Sequence, residues 1–484
     1  MTQRPVGRLI LPALRWADGT GFGHEAASID AALEAGAGGF IIFGGPAGEV
    51  RALTSSLVER AGRPLLIGAD LERGAGQQFA GLAEIPPPLA LASLGDLDAV
   101  RSGGARTALD ARSVGVNWIF APVADLDLLA DNPIVQTRSF GADPAAVSAC
   151  VRAWIEGCQS AGGLACVKHF PGHGRTATDS HAGLPVVTSG AAELRRTDAA
   201  PFAEAIRAGV ASVMTAHVAY PALDPSGQPA TVSRPILREL RHELGFDGAV
   251  VTDALIMEGA FVGRSEREAF AQALGAGVDL LLYPREVRAA HAALVSALED
   301  GSLEAERVDD ALARYGAMLE RAGTARAAAG LPEVGVVPPG GEALARDIPA
   351  RLIERGLVRG APPSLREPIE LIAVDDDVGG PYPPSPGDWV QRALEALGIR
   401  LGTGGSRVVL VLAEPRAWKG RGGLGEASRA RLAAAAGGAE LTVLFAHPRV
   451  AADVPGPAPL LLAWHRQRPL QEAAARWIAA RVRR

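Results

Sequence analysis

One short stretch, Lys168-His-Phe-Pro-Gly-His-Gly-Arg-Thr-Ala-Thr-Asp-Ser-His181, gathers three histidines and an aspartate within fourteen residues. His169, His173, Asp179 and His181 include good metal-ligand types. The H-x-H and H-E-x-x-H spacings are missing, however, and His173 sits poorly between two glycines, so no metal is expected. A second reading pairs Asp179 with His181. In an extended loop residues i and i+2 point the same way, so the carboxylate can hold one ring nitrogen while the other faces a cleft as general acid/base. A plainer reading has His181 merely tie the loop down. Asp253 ends the apolar run of Val250-Val-Thr-Asp. A carboxylate there can act as nucleophile, metal ligand or acceptor for a sugar hydroxyl, or can cap the helical stretch that follows. No G-x-S-x-G elbow and no P-loop occurs.

The elements that must carry these groups are legible as alternation. Short apolar runs lie at residues 8–14, 38–44, 64–70, 117–125, 164–170, 211–218, 248–255 and 278–284, separated by Ala-rich amphipathic stretches such as 145–161 and 194–209. Each run is too short for a core helix and too uniformly apolar for a strand with one wet face. Strands buried on both faces of a parallel sheet fit that pattern. Eight strands with following helices in this length predict a (β/α)8 TIM-like barrel, with a doubly wound open sheet as the alternative. Asp70, Asp125, Lys168, His169, His217 and Asp253 fall at the C-terminal ends of their runs, the rim that carries chemistry in barrels.

Length and composition agree. The chain has 484 residues, 48% hydrophobic and 21% charged, enough for two or three packed domains. Residues 1–326 read as the barrel, 327–341 (Pro- and Gly-rich) as a linker, and 342–484 as a smaller α/β sandwich domain. Lys+Arg 48 against Asp+Glu 54 gives a net charge of −6 without a basic stripe, so nucleic acid is not an expected partner. No apolar stretch is long enough to span a bilayer and no cleavable leader is evident, so a soluble, cytoplasmic chain is expected. Cys150, Cys158 and Cys166 have no zinc spacing and read as small buried hydrophobes.

The stretch KHFPGHG followed by DSH, the run Phe120–Gly141 (FAPVADLDLLADNPIVQTRSFG), MTAHVAYPALDP at Met214–Pro225 and VVTDALIME at Val250–Glu258 together resemble glycoside hydrolase family 3. The resemblance is to its β-N-acetylhexosaminidase branch, which carries an Asp-x-His loop, and it covers residues 8–285; beyond them it is weaker. It implies a retaining hydrolase that releases terminal β-linked N-acetylglucosamine through a covalent intermediate on Asp253, without cofactor or metal. It makes His181 the general acid/base with Asp179 as its partner, and makes Asp70, Arg138, Lys168 and His169 the residues that grip the sugar. Cell-wall recycling is the setting it implies.

The chain departs from the family at Ala75 and Gln78, where relatives carry arginines, which leaves the sugar preference open. At position 254 an Ala stands where many relatives have a second Asp, so Asp253 has no competitor as nucleophile. An imidazole acid has a reference pKa near neutrality and needs no desolvated carboxylate. When neutral it does not repel an anion, so a β-N-acetylglucosaminide phosphorylase is an alternative, as is a β-glucosidase. A catalytically silent sugar-binding protein is the alternative from another class. Whether the C-terminal domain adds a loop to the cleft, with Lys419–Gly425 the segment to watch, and what oligomer forms are not written in the residues.

Overall fold

The computed structural model describes residues 4–177, 183–260, 263–329, 341–377, 379 and 384–483. The chain forms two compact units. The first comprises residues 1–83, 100–128 and 139–338, and the second comprises 84–99, 129–138 and 339–484. The second unit therefore takes two short segments from within the first 326 residues, which no single boundary along the chain can express.

The first unit is built on a curled, all-parallel seven-stranded sheet in sequence order: β2 (Ala13–Arg15), β3 (Gly39–Phe43), β4 (Leu66–Ala69), β5 (Trp118–Ile119), β6 (Leu164–Phe170), β7 (Ser212–Thr215) and β8 (Ala249–Val251). The first apolar run is split at Pro12, which has no N–H for a ladder. Its front half, β1 (Ile10–Leu11), pairs in parallel with β9 (Leu281–Leu282) instead, and Val251 bridges Leu280. Each of the eight apolar runs thus contributes strand residues. Strand β6 is buried along its whole length, as expected of a strand covered on both faces.

The intervening helices start where the chain offers caps. Asp143 accepts the Ala146 N–H ahead of the helix Pro144–Ser160, and Ser265 and Glu268 form a reciprocal box at the start of Glu266–Ala276. The stretch 194–209 does not make one helix. It makes Ala191–Arg196 and Ala200–Arg207, the second opening with Pro201 in its first turn. The helix Ala305–Ala329 runs three residues past Arg326 through helix-forming alanines.

The second unit holds β10 (Leu357–Arg359), β11 (Leu365–Arg366), β12 (Ile369–Asp375), β13 (Ser406–Leu412), β14 (Leu441–Phe445), β15 (Leu460–Leu462) and β16 (Val482–Arg483). Strands β12, β13, β14 and β15 are parallel neighbours in that order, with β10 antiparallel on the β15 edge. Two apolar clusters pack around this sheet, one including Leu410, Val443, Leu461 and Trp477, the other Val409, Val411, Leu444 and Leu432. The loop Lys419–Gly425 belongs to this unit. Lys419 Nζ lies 2.6 Å from Asp376 Oδ2, and the Gly425 N–H donates to Asp376 Oδ1 at 3.0 Å. A Cβ at Gly422 would stand 2.3 Å from the carbonyl oxygen of Ala130, so only glycine lets the loop lie against the segment 129–138.

Candidate active site

The polar residues at the C-terminal ends of the first unit's strands converge in two linked groups. Just after β4, Asp70 and Glu72 share one cation: Lys168 Nζ, near the end of β6, is 2.6 Å from Asp70 Oδ1 and 2.8 Å from Glu72 Oε1. The Lys168 side chain is 2% exposed and that of Glu72 5%, whereas Asp70 keeps 30% of its side chain open. The ammonium is therefore locked in place by a buried carboxylate and offered beside a reachable one.

The second group is centred on Asp125, in the stretch that follows β5. Its carboxylate is fully buried and takes three contacts from the end of β6 and the turn that follows it. His169 Nδ1 lies 2.6 Å from Oδ2, and the N–H groups of His169 and His173 donate to Oδ1 at 3.2 and 2.7 Å. Burial works against ionisation, but the contacts from His169 and His173 outweigh it and hold the carboxyl below its ordinary value. The ring of His173 packs edge-on to that of His169, and its Nδ1 lies 2.7 Å from the Thr176 hydroxyl. Burial pushes the His173 imidazole down to about 4, so it is neutral at physiological pH. Gly174 lets the chain lie against the segment after β5, since a Cβ there would stand 1.9 Å from the Leu126 carbonyl oxygen.

Asp253 follows β8. One oxygen accepts the N–H of Ala254 at 2.7 Å, the other lies 4.0 Å from His169 Nε2, and 20% of the side chain is open. His169 thus stands between the two aspartates. Burial pushes the Cys166 thiol, on the same strand as His169, up to about 12, with the Ser212 hydroxyl and Lys168 opposing the rise and Asp70 and Asp253 adding to it. Beside Asp253, His217 Nε2 approaches the Ala254 carbonyl at 3.3 Å while its Nδ1 faces the Thr231 hydroxyl at 2.8 Å.

Of the residues singled out from sequence, Asp70, Lys168, His169 and Asp253 are brought to one edge of this sheet. Arg138 belongs to the second unit, where its Nη1 donates to the Ile134 carbonyl at 3.2 Å. Asp179 and His181 lie outside the described residues. Glu72, the role of Asp125 and the His173–Thr176 pair were not singled out. The i, i+2 spacing of Asp70 and Glu72 was a signal for the first, whereas nothing local signals the others. The two departures are structural in this chain: Ala75 is buried, and Gln78 Oε1 accepts the Gly44 N–H at 3.2 Å. Among the described residues no group of three or more His, Cys, Asp or Glu is arranged to hold a metal ion, and no helix is long and apolar enough to cross a membrane.

The family model described as "Glycosyl hydrolase family 3 N terminal domain" matches residues 46–317. The β-N-acetylglucosaminidase/β-glucosidase of Cellulomonas fimi is 33% identical over 363 residues, 72% of this chain and 64% of that one, so the match spans less than two thirds of that relative. A β-hexosaminidase of Thiobacillus denitrificans is 40% identical over 257 residues, 51% of this chain and 70% of the relative. Among solved structures, a glycoside hydrolase family 3 β-N-acetylglucosaminidase from Paenibacillus sp. superposes with a TM-score of 0.85 at 27% identity, covering 100% of this chain and 97% of that one.

Proposed function

The chain belongs to glycoside hydrolase family 3, and on that premise we propose that it is a retaining glycosidase that releases terminal β-linked N-acetylglucosamine. The observation that carries this reading is the partly open Asp253 carboxylate beside His169 at the strand-end edge that also holds Lys168 and Asp70. We read the seven-stranded sheet and the β1–β9 pair as one (β/α)8 barrel, residues 1–326 less the segments 84–99 and 129–138 as its catalytic domain, and 342–484 with those two segments as a sandwich domain. In this reading Asp253 attacks the anomeric carbon and forms a covalent glycosyl ester while the glycosidic bond breaks. His181, oriented by Asp179, gives its proton to the departing oxygen. In the second step it takes a proton from the incoming acceptor, and two inversions give net retention. Asp70, Lys168 and His169 hold the sugar hydroxyls. The Ala254 N–H fixes one oxygen of Asp253 and so aims the carboxylate. Three free thiols, all buried, fit a reducing cytoplasm, the compartment we infer, with turnover of cell-wall fragments as the setting.

The test is p-nitrophenol release from the β-N-acetylglucosaminide and the β-glucoside by wild type and Asp253→Ala, with and without inorganic phosphate and with a chelator. The expected result is turnover of the acetamido sugar, lost by orders of magnitude in the variant and indifferent to chelation. Preference for the glucoside moves the specificity to a β-glucosidase. A sugar 1-phosphate product makes the chain a phosphorylase. Turnover that survives in Asp253→Ala overturns the mechanism.

A further inference from the structure

We infer that Asp125 is a positioning residue that sets the protonation of His169 and ties the segment 168–176 to the end of β5. The bonding pattern fixes the assignment. An ionised carboxylate only accepts, and this one faces two backbone N–H groups on Oδ1 and a ring nitrogen on Oδ2. The nitrogen 2.6 Å from Oδ2, His169 Nδ1, therefore carries a proton. Which ring nitrogen bears the proton is set by the bond the other side of the ring makes. Here that leaves Nε2 as the atom presented towards Asp253, 4.0 Å away. The second oxygen is committed to backbone: Oδ1 takes the N–H of His169 and of His173.

His173 continues the chain of contacts. Its Nδ1 meets the Thr176 hydroxyl, which in turn donates to the His173 carbonyl at 3.0 Å. Through one side chain, then, the carboxylate end-stops both the ring of His169 and the backbone up to Thr176. The two partners lie 44 and 48 residues further along the chain than Asp125, so the tie is made by tertiary structure alone.

This arrangement gives the isosteric variant Asp125→Asn a specific consequence. The two backbone N–H groups need an acceptor, so the amide oxygen must take the place of Oδ1. The amide NH2 then takes the place of Oδ2 and points at His169 Nδ1. That nitrogen has to become an acceptor, and the ring proton moves to Nε2. The backbone ties survive while the face that His169 shows to the site is inverted.

The experiment reads the ring directly. Long-range 1H–15N spectra of histidine-labelled protein, with His169→Gln used for assignment, report which nitrogen is protonated. The expected result is Nδ1 protonated in wild type and unprotonated in Asp125→Asn, with kcat/KM for the aryl N-acetylglucosaminide lowered roughly ten- to a hundredfold, the scale of one charge-assisted hydrogen bond, and an unchanged far-UV spectrum. A protonated Nδ1 in the Asn variant, or an unprotonated one in wild type, overturns the inference. So does an inverted ring with wild-type kcat/KM. Should the Asn variant fail to fold, the wild-type spectrum alone still decides whether Nδ1 holds the proton. The kinetic arm rests on the glycosidase reading and the spectroscopic arm does not. A protein that turns over neither sugar yet shows the inversion sinks the glycosidase reading and leaves the assignment standing.

Discussion

Lys168→Met tests the charge arrangement at the end of β6 most sharply. The ammonium sits between two carboxylates at 2.6 and 2.8 Å, and its removal leaves both negative. Asp70, with 30% of its side chain open, rehydrates and contributes little. Glu72, with 5% open, cannot, and removing one member of a buried ion pair costs about 3–5 kcal/mol. Thermal unfolding followed by circular dichroism should show a drop of about 5 °C or more. Activity should fall for a separate reason, the loss of a charged donor near the sugar, about 1.5–3 kcal/mol, which is roughly ten- to a hundredfold in kcat/KM. Adding Glu72→Gln separates the two effects, since it removes the second charge of the buried pair but does not restore the donor. The double variant should recover most of the stability and none of the activity. A single variant as stable as wild type refutes the burial argument. A double variant that regains activity with stability shows that Lys168 only supports the fold.

Two further outcomes follow from other parts of the molecule. His173 is held down to about 4 in the folded state against an ordinary 6.5, so between those values the unfolded chain binds more protons and stability rises with pH. About 2.5 units at 1.36 kcal/mol each is on the order of 3 kcal/mol, present above pH 6.5 and lost on acidification towards 4; unfolding free energies of wild type and His173→Asn over that window should converge at low pH, and parallel curves would contradict it. In the second unit, Gly422→Ala drives a Cβ to 2.3 Å from the Ala130 carbonyl, whereas at Gly423 the nearest atom is 3.8 Å away. The first change should cost about 1–3 kcal/mol and the second almost nothing, and equal melting temperatures would show that the loop yields freely.

Much of the site was legible because its residues occupy the ends of apolar runs, and a run's period and length are local properties. Asp70, Lys168, His169 and Asp253 were found that way, and the strands β3, β4 and β6 lie within a residue or two of the runs that announced them. Glu72 was within reach of the same reasoning, since it lies two residues past Asp70. Pattern along the chain gave residues 8–14 as one run and could not say that its halves, divided at Pro12, would pair with different strands, β9 and β3.

What the sequence by itself determined is the kind of element at each position and the chemical types delivered to the strand ends, because side-chain shape and backbone preference act over a few residues. Which groups meet was decided by tertiary structure. Asp125 finds His169 and His173, Gln78 turns to the Gly44 N–H, and the segments 84–99 and 129–138 pack with the second unit. The physical reason is that a buried polar group must find a partner or lose its hydration without return, and the partner nearest in space is set by how the sheet curls and not by distance along the chain.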